Sequence, residues 1–353
     1  MNSRLKNIYT KLEQQRLDGL IVSLPVNITY LTKYQSRDSY FLVSRKKNTY
    51  FTDSRYIEEA KLALKGAASL RKVNGSVFKL IARDCLDKRL GRVAFEERYL
   101  PFAEYKKIKE YLGKKTLLVP AHGLIEELRQ VKEPEELEKI RKAIAITDKA
   151  LLFIKGFIAP GKKEIEVAGE AERFIRYQGA SEASFDIIVA SGPNSSFPHH
   201  IPSERKIRNN EPVLVDIGVE YQGYKSDLTR VFFLGKINVL AKEIYDIVLE
   251  AGARAIRKIK PGEKMSSVDR AGRQYIGQKG FGGFFGHSLG HGVGLEVHEA
   301  PHISKDNEDR LKQGMVFTVE PAVYLPGKFG IRIEDMVLTT NDGCEVLSVA
   351  VNK

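Results

Sequence analysis

Residues 212–233 read Pro-Val-Leu-Val-Asp-Ile-Gly-Val-Glu-Tyr-Gln-Gly-Tyr-Lys-Ser-Asp-Leu-Thr-Arg-Val-Phe-Phe. Two runs rich in β-branched and aromatic residues flank a turn at Gln222-Gly223, which predicts a hairpin over 213–233. The first run carries Asp216 and the second Asp227. Side chains alternate along a strand, so Asp216 shares a face with Leu214 and Gly218, and Asp227 shares one with Lys225 and Thr229. The hairpin can bring both carboxylates to one side. Burying an acid in such a run is costly unless a cation or a partner compensates it.

Three further residues recur in the same kind of setting. Glu320 lies in Val316-Phe-Thr-Val-Glu-Pro321 and Glu334 in Gly330-Ile-Arg-Ile-Glu-Asp335, where Arg332 shares its face. His291 lies in Gly286-His-Ser-Leu-Gly-His-Gly-Val-Gly-Leu-Glu-Val-His-Glu299. Any one of these acids alone reads as an edge or turn residue paired with a nearby Lys or Arg. Together, four carboxylates and one imidazole balance two divalent cations, and oxygen-rich donors with one His suit Mn²⁺, Co²⁺ or Fe²⁺ better than thiolate-type zinc. Two such ions orient a nucleophile and polarise a carbonyl. The histidines cluster at His199-His200 and at His287, His291 and His298, with His302 just beyond. His298-Glu-Ala-Pro-His302 matches the zinc-protease pattern H-E-x-x-H literally, but that pattern needs a helix and Pro301 breaks one. Gly280-Phe-Gly-Gly-Phe-Phe-Gly286 lacks the Lys-Ser/Thr of a phosphate loop.

The rest of the chain sets bounds. At 353 residues two domains are expected. The formal charge of +12 raises nucleic-acid binding, but the basic residues are scattered among acids, and no nucleic-acid partner is expected. No apolar stretch reaches membrane-spanning length and the first residues are polar, so no membrane association and a cytoplasmic location are expected. Cys85 and Cys344 are the only cysteines, which excludes a disulfide framework or a thiolate metal site. In the first third, helical patterns near 5–20, 55–65, 76–88 and 102–112 alternate with strands at 19–24, 40–44, 48–52, 91–95 and 116–119, giving an α/β domain over 1–122. A linker is expected over 123–133. Glu133-Pro-Glu-Glu136 then starts a helix running to about residue 156 and opens a second domain, 134–353. Helices at 164–178, 239–258 and 266–279 and strands at 185–190, 315–324 and 330–338 are expected within it.

The ordered segments around Asp216, Asp227, His291–Glu299, Glu320 and Glu334 resemble the metallopeptidase family of aminopeptidase P, prolidase, methionine aminopeptidase and creatinase. The resemblance covers 132–353, and Asn27-Ile-Thr-Tyr-Leu31 and Thr52-Asp-Ser-Arg-Tyr56 extend it to the N-terminal domain of the proline-directed branch. It implies a creatinase-like α/β domain ahead of a pita-bread domain, a curved antiparallel sheet flanked by helices. It also implies two metals, Mn²⁺ foremost with Co²⁺, Fe²⁺ or Zn²⁺ as alternatives, held by Asp216, Asp227, His291, Glu320 and Glu334, with Asp227 and Glu334 bridging. A metal-bridging water or hydroxide attacks the scissile carbonyl in this family, and Glu320 handles its proton. The resemblance gives His199 and His298 catalytic roles, places His287 in the substrate pocket, and makes Thr229 and Arg332 supports for the ligands. The implied substrates are peptides with proline at the second position, and the implied assembly is a homodimer.

Two departures stand out. Ala322 follows Val-Glu-Pro where Gly is usual, and His302, a pocket position, occupies the place of an arginine that grips a dipeptide's carboxylate in several prolidases. His302 is a poorer anion clamp near neutral pH. This favours an Xaa-Pro aminopeptidase, with Xaa-Pro dipeptidase as the alternative, Lys305 or Arg310 then serving as the clamp. A catalytically inactive binding relative and a creatinase-type hydrolase are remote alternatives, since a binding role has no need of all five ligands.

Overall fold

In the computed structural model, which describes residues 3–348, residues Met1–Arg129 make one unit and Gln130–Lys353 a second. The first begins with α1 (Ser3–Gln14), whose spacing buries Leu5, Ile8 and Leu12 on one face. Then follow β1 (Gly19–Val22), α2 (Pro25–Thr32), β2 (Ser39–Ser44), β3 (Thr49–Thr52), α3 (Ile57–Ala63) and β4 (Ser69–Lys72). The unit ends with α4 (Val77–Asp87), β5 (Arg92–Glu96), α5 (Phe102–Leu112), β6 (Leu117–Ala121) and α6 (Glu126–Arg129). One mixed sheet runs β4-β3-β2-β1-β5-β6, with fully buried β1 antiparallel to β2 and parallel to β5.

The sequence pattern misses α2, β4 and α6. Residues of α2 are short-range poor helix formers, and the helix is held instead by Pro25 at its start and by Asn27 inside the unit. Asn27 Nδ2 donates to Glu96 Oε1 and Glu126 Oε1, both at 2.7 Å, and its Oδ1 accepts from Arg129 Nη1 at 2.8 Å. The stretch 123–133 falls across the boundary between the two units. Its first part is packed into the first unit through Glu126 and Arg129, and its second part is built into the second unit. There Val131 bridges Met315, and Lys132 Nζ forms a buried ion pair with Glu299 at 2.7 Å.

Charge is divided unevenly. Residues 1–129 hold 26 Lys and Arg against 14 Asp and Glu, whereas the remaining residues hold 31 of each. The carboxylate cluster described below is thus a local feature of a neutral unit, not part of a generally acidic surface.

In the second unit α7 (Pro134–Phe157) starts with Pro134 in its first turn and a capping box in which Glu133 N donates to Glu136 Oε2 at 2.9 Å. After it come α8 (Glu164–Tyr177), β7 (Glu182–Ala183), β8 (Ile188–Ser191), β9 (Pro212–Ile217), β10 (Val219–Tyr221), β11 (Tyr224–Lys225) and β12 (Leu228–Phe233). Helices α9 (Val239–Ile256) and α10 (Met265–Gln278) precede β13 (Gly290–Gly292), β14 (Glu299–Ile303), β15 (Val316–Val319) and β16 (Ala322–Leu325). The last strands are β17 (Phe329–Arg332), β18 (Asp335–Thr339) and β19 (Cys344–Val346). All pairings here are antiparallel, in four segments ordered β11-β10-β7, β12-β9-β8, β14-β13-β15-β18-β19 and β16-β17. Helix α7 packs on β9 to β12, and α9 on β15 to β17, giving the expected helix-flanked antiparallel sheet.

The segmentation falls on the acids. The expected hairpin 213–233 is cut at Gly218 and again at Ser226-Asp227, and the expected strands 315–324 and 330–338 are each cut in two, at Glu320-Pro321 and Ile333-Glu334. Pro321 has no N–H to continue a ladder. At Gly218 a Cβ would lie 2.1 Å from Ser226 O, so only glycine lets the two halves of the hairpin approach there. The expected strand 185–190 starts later, at Ile188, and Phe185 and Asp186 ahead of it line the cavity.

Candidate metal centre and cavity

Register brings the first two acids together. Asp216 pairs directly with Thr229 across β9 and β12, and Asp227 lies two residues before Thr229 on the same face. Glu334, in the break after β17, presents Oε2 to Thr229 Oγ1 at 2.6 Å. Ligand atoms of Asp216, Asp227 and Glu334 all lie within 4.8 Å of one another, as do those of His291, Glu320 and Glu334 and those of Asp227, His291 and His298. His291 Nε2 is 3.3 Å from Glu320 Oε1 and 3.6 Å from Asp227 Oδ2.

Glycines on either side of His291 let neighbouring strands close around it. A Cβ at Gly290 would stand 1.9 Å from Thr318 O. Thr318 in turn accepts from His291 N at 3.1 Å and donates to Glu320 Oε1 at 3.0 Å, fixing these two groups against each other.

Arg332 supplies the positive charge. It donates to Asp216 Oδ2 at 2.6 Å, Thr229 Oγ1 at 3.0 Å, Tyr324 OH at 2.7 Å and Pro198 O at 3.2 Å. Four buried or half-buried carboxylates thus face one guanidinium. Burial, then the charge of neighbouring acids, holds the Asp227 and Glu334 carboxyls well above the usual range, and burial also raises Asp216 despite Arg332. Burial acts upward on Glu320 too, but the bond to His291 outweighs it and keeps Glu320 below the ordinary value. The same bond carries His291 above its ordinary value against the effect of burial. Desolvation and then the neighbouring His291 charge push His298 down to about 4.

The residues fit divalent cations. Asp216 Oδ1 and Asp227 Oδ1 are buried without a hydrogen-bond partner, although buried carboxylate oxygens are expected to have one. Two uncompensated acceptors, an excess of negative charge and an oxygen-rich donor set with one imidazole are what hard or borderline divalent ions neutralise.

Around this cluster lies a cavity of about 790 Å³. Asp216, Asp227, His291, Glu320, Glu334 and Arg332 line it, together with His199, His287, His298 and His302. Thr229 stands behind them, between Glu334 and Arg332. His291 and His302 are directly opposite each other on β13 and β14, and the His291 and His298 rings are 4.2 Å apart. His298 immediately precedes β14 and His302 lies near its end, so the pair sits on an extended segment and not on a helix, as Pro301 requires. Neither Lys305 nor Arg310 lines the cavity, and Arg310 donates to Gly262 O at 2.6 Å instead.

Sequence reasoning missed Tyr324, whose hydroxyl accepts from Arg332 and lies 3.2 Å from His287 Nε2. The available signal was a tyrosine in the apolar run Ala322-Val-Tyr-Leu325, three residues after the Val-Glu-Pro segment and opposite Gly330. It also missed Phe185, Asp186 and Ile188, which line the cavity from the segment entering β8.

Residues 138–341 match Metallopeptidase family M24 and residues 4–131 match the Creatinase/Prolidase N-terminal domain, so the chain belongs to Metallopeptidase family M24. The Xaa-Pro dipeptidase of Pyrococcus furiosus is 36% identical over 349 residues, which is 99% of this chain and 98% of that one. The solved structure of an Xaa-Pro dipeptidase from Bacillus anthracis superposes with a TM-score of 0.95 at 36% identity, covering 99% of this chain and 98% of its own. An X-Pro aminopeptidase from Thermotoga maritima superposes with a TM-score of 0.89 at 35% identity, covering 96% and 97%. Among the described residues no helix is long and apolar enough to cross a membrane.

Proposed function

We propose that this chain is an Xaa-Pro dipeptidase that hydrolyses the peptide bond before proline. Its metal site would consist of two divalent cations, Mn²⁺ foremost, held by Asp216, Asp227, His291, Glu320 and Glu334. The observation that carries the reading is the four-carboxylate, one-imidazole cluster with its unpaired buried oxygens, in a chain similar over its whole length to Xaa-Pro dipeptidases. The X-Pro bond is a tertiary amide without an N–H, and its ring fixes the backbone, so a shaped pocket suits it better than a backbone-gripping groove.

Bound there, the cations supply Lewis-acid polarisation of the scissile carbonyl and acidify water at neutral pH. The protein's own groups do the rest. Glu320, held ionised near neutral pH, takes the proton of the attacking water and returns it to the proline nitrogen as the C–N bond breaks. His298, neutral at that pH, and His199 face the cavity and hydrogen-bond the reacting peptide. Arg332 and Thr229 hold Asp216 and Glu334 in place. Tyr324 and His287 line the pocket wall.

One observation favours an Xaa-Pro aminopeptidase as the second reading. Arg332 is the only Lys or Arg lining the cavity among the described residues, and all three of its nitrogens are bonded within the protein, so a dipeptide's carboxylate would rely on imidazoles such as His302. The relatives support the dipeptidase nonetheless. Product analysis decides between them. Metal-stripped, Mn²⁺-reloaded enzyme is offered Ala-Pro and Ala-Pro-Ala together, and free Ala and Pro are quantified. Preferential conversion of Ala-Pro to Ala and Pro supports the dipeptidase, release of Ala chiefly from the tripeptide supports the aminopeptidase, and cleavage of neither refutes both.

A further inference from the structure

The segment that carries His199 has no regular secondary structure between the short 3₁₀ turn Gly192–Ser196 and β9, yet His199 itself is exposed at the cavity. The segment is tied to the start of α8 by backbone bonds from Glu164 N to Arg205 O and Ile165 N to Ser203 O, both at 3.1 Å, and by the side chain of Glu164, the first residue of α8, which is fully buried. Its Oε1 accepts from Ser191 N and Ser191 Oγ, both at 2.7 Å, and from Asn194 Nδ2 at 3.1 Å. Its Oε2 lies 2.9 Å from His200 Nε2 and accepts from Ser203 Oγ at 2.7 Å, Ser203 N at 3.2 Å and Asn194 Nδ2 at 3.0 Å. One carboxylate therefore ties the end of β8, the 3₁₀ turn and both flanks of His199 to the start of a helix.

Burial of this kind is expensive for an acid, and the donors repay it. Burial acts upward on the Glu164 carboxyl, but the Ser203, His200 and Ser191 bonds outweigh it and hold Glu164 below its ordinary value. The network continues outward, since Arg205 Nη1 donates to Ser191 Oγ at 2.5 Å and pairs through both nitrogens with Glu211 at 2.7 Å. On the cavity side the segment has one further tether, Pro198 O to Arg332 Nη1. His200 borders the cavity beside His199, and its Nε2 is turned to Glu164 at 2.9 Å.

We propose that Glu164 is a positioning residue for the reaction, acting through His200, Asn194 and Ser203 to hold His199 at the cavity. The proposal rests on the reading of His199 as a substrate-side group, so its test has one arm that needs no activity.

The first arm is amide exchange on the full chain. Glu164→Gln keeps size and one acceptor but directs an NH₂ at donors that need an oxygen. Exchange at Ser191 and Ser203, whose amides donate to Glu164, should quicken about tenfold or more, while β12 keeps its protection. The second arm is a double-mutant cycle on kcat/KM for Ala-Pro and Ala-Pro-Ala. In the Glu164→Gln background the penalty of His199→Ala should shrink by about tenfold, whereas the penalty of His298→Ala is unchanged. A merely structural glutamate would lower both penalties or neither. Unchanged exchange overturns the proposal, and so does full additivity with His199→Ala. Should Glu164→Gln fail to fold, Ser203→Ala and His200→Leu, which each remove one side-chain partner of Glu164, carry the same two readouts. If the native enzyme cleaves no Xaa-Pro peptide, the functional reading falls separately, and exchange alone decides whether Glu164 holds the segment.

Discussion

Thr229→Val removes one oxygen at the most connected point of the site while preserving its shape. Thr229 is fully buried, donates to Glu334 Oε2 at 2.6 Å and accepts from Arg332 Nε at 3.0 Å. Both partners are charge-bearing, and a hydrogen bond to a charged group is worth about 1.5–3 kcal/mol, against about 1 kcal/mol between neutral groups. In the metal-free protein Glu334 is held well above the ordinary carboxyl range, so its bond sits at the neutral end, and the expected loss is about 2.5 kcal/mol. With cations bound Glu334 is ionised, both bonds are charge-assisted, and the loss rises to about 3–6 kcal/mol. For a domain of this size each kcal/mol moves Tm by about 2–4 °C, so Tm should fall by about 5–10 °C without metal and by more with it. Scanning calorimetry on both forms measures this, with Thr229→Ser as the control that keeps the hydroxyl. A Tm change under about 2 °C in both forms would refute the reasoning, as would a larger drop in the metal-free protein.

Other outcomes follow from the same geometry. Asp227→Asn should lower kcat/KM by more than about 100-fold, since outer partners of metal ligands alone cost about 10–100-fold, and should leave the fold intact; full activity would contradict the site assignment. In metal-free protein Asp227 and Glu334 keep protons in the folded state where the unfolded chain has lost them, so stability falls as pH rises toward their raised values. His298 at about 4 acts oppositely, adding stability as pH rises from about 4 to its unfolded value of 6.5, so the carboxylate trend is cleanest above that. Tm of the metal-free protein should therefore decline as pH rises above the His298 window, and a rising Tm there would count against the crowded-carboxylate account. Gly290→Ala drives a Cβ to 1.9 Å from Thr318 O and should cost more than about 3 kcal/mol, while Gly169→Ala on α8, with nothing within 4 Å, should be neutral or stabilise by up to about 1 kcal/mol; urea unfolding of both checks the contrast.

The acid-bearing segments are readable in the sequence because each acid interrupts an apolar run, and period-two alternation puts Asp216 opposite Thr229, on the face of Asp227. The long helices are readable for the same reason, apolar spacing with caps, as at Glu133-Pro-Glu-Glu136. The cuts at Gly218, Pro321 and Glu334 were not readable, since local alternation continues across them and the break is imposed by the partner strand. Lys132 looked like part of a spacer because its partner Glu299 lies 167 positions away. Glu164 likewise reads as an ordinary acidic helix start, and only the fold gathers Ser191, Asn194, His200 and Ser203 around it. The weighting of residue 302 illustrates a different limit. One cavity position argued for an aminopeptidase, whereas whole-length similarity supports the dipeptidase.

The central claim is that the five-residue cluster holds two divalent cations that the hydrolysis of an Xaa-Pro bond requires. Stepwise addition of Mn²⁺ to metal-stripped protein, with bound metal and Ala-Pro and Ala-Pro-Ala cleavage measured at each step, tests it most directly. The account predicts negligible cleavage without metal and activity that rises to a plateau at two bound ions per chain, both features being lost in Asp227→Asn. Undiminished cleavage by the stripped protein, or tight binding of two ions that leaves both peptides intact, would contradict it.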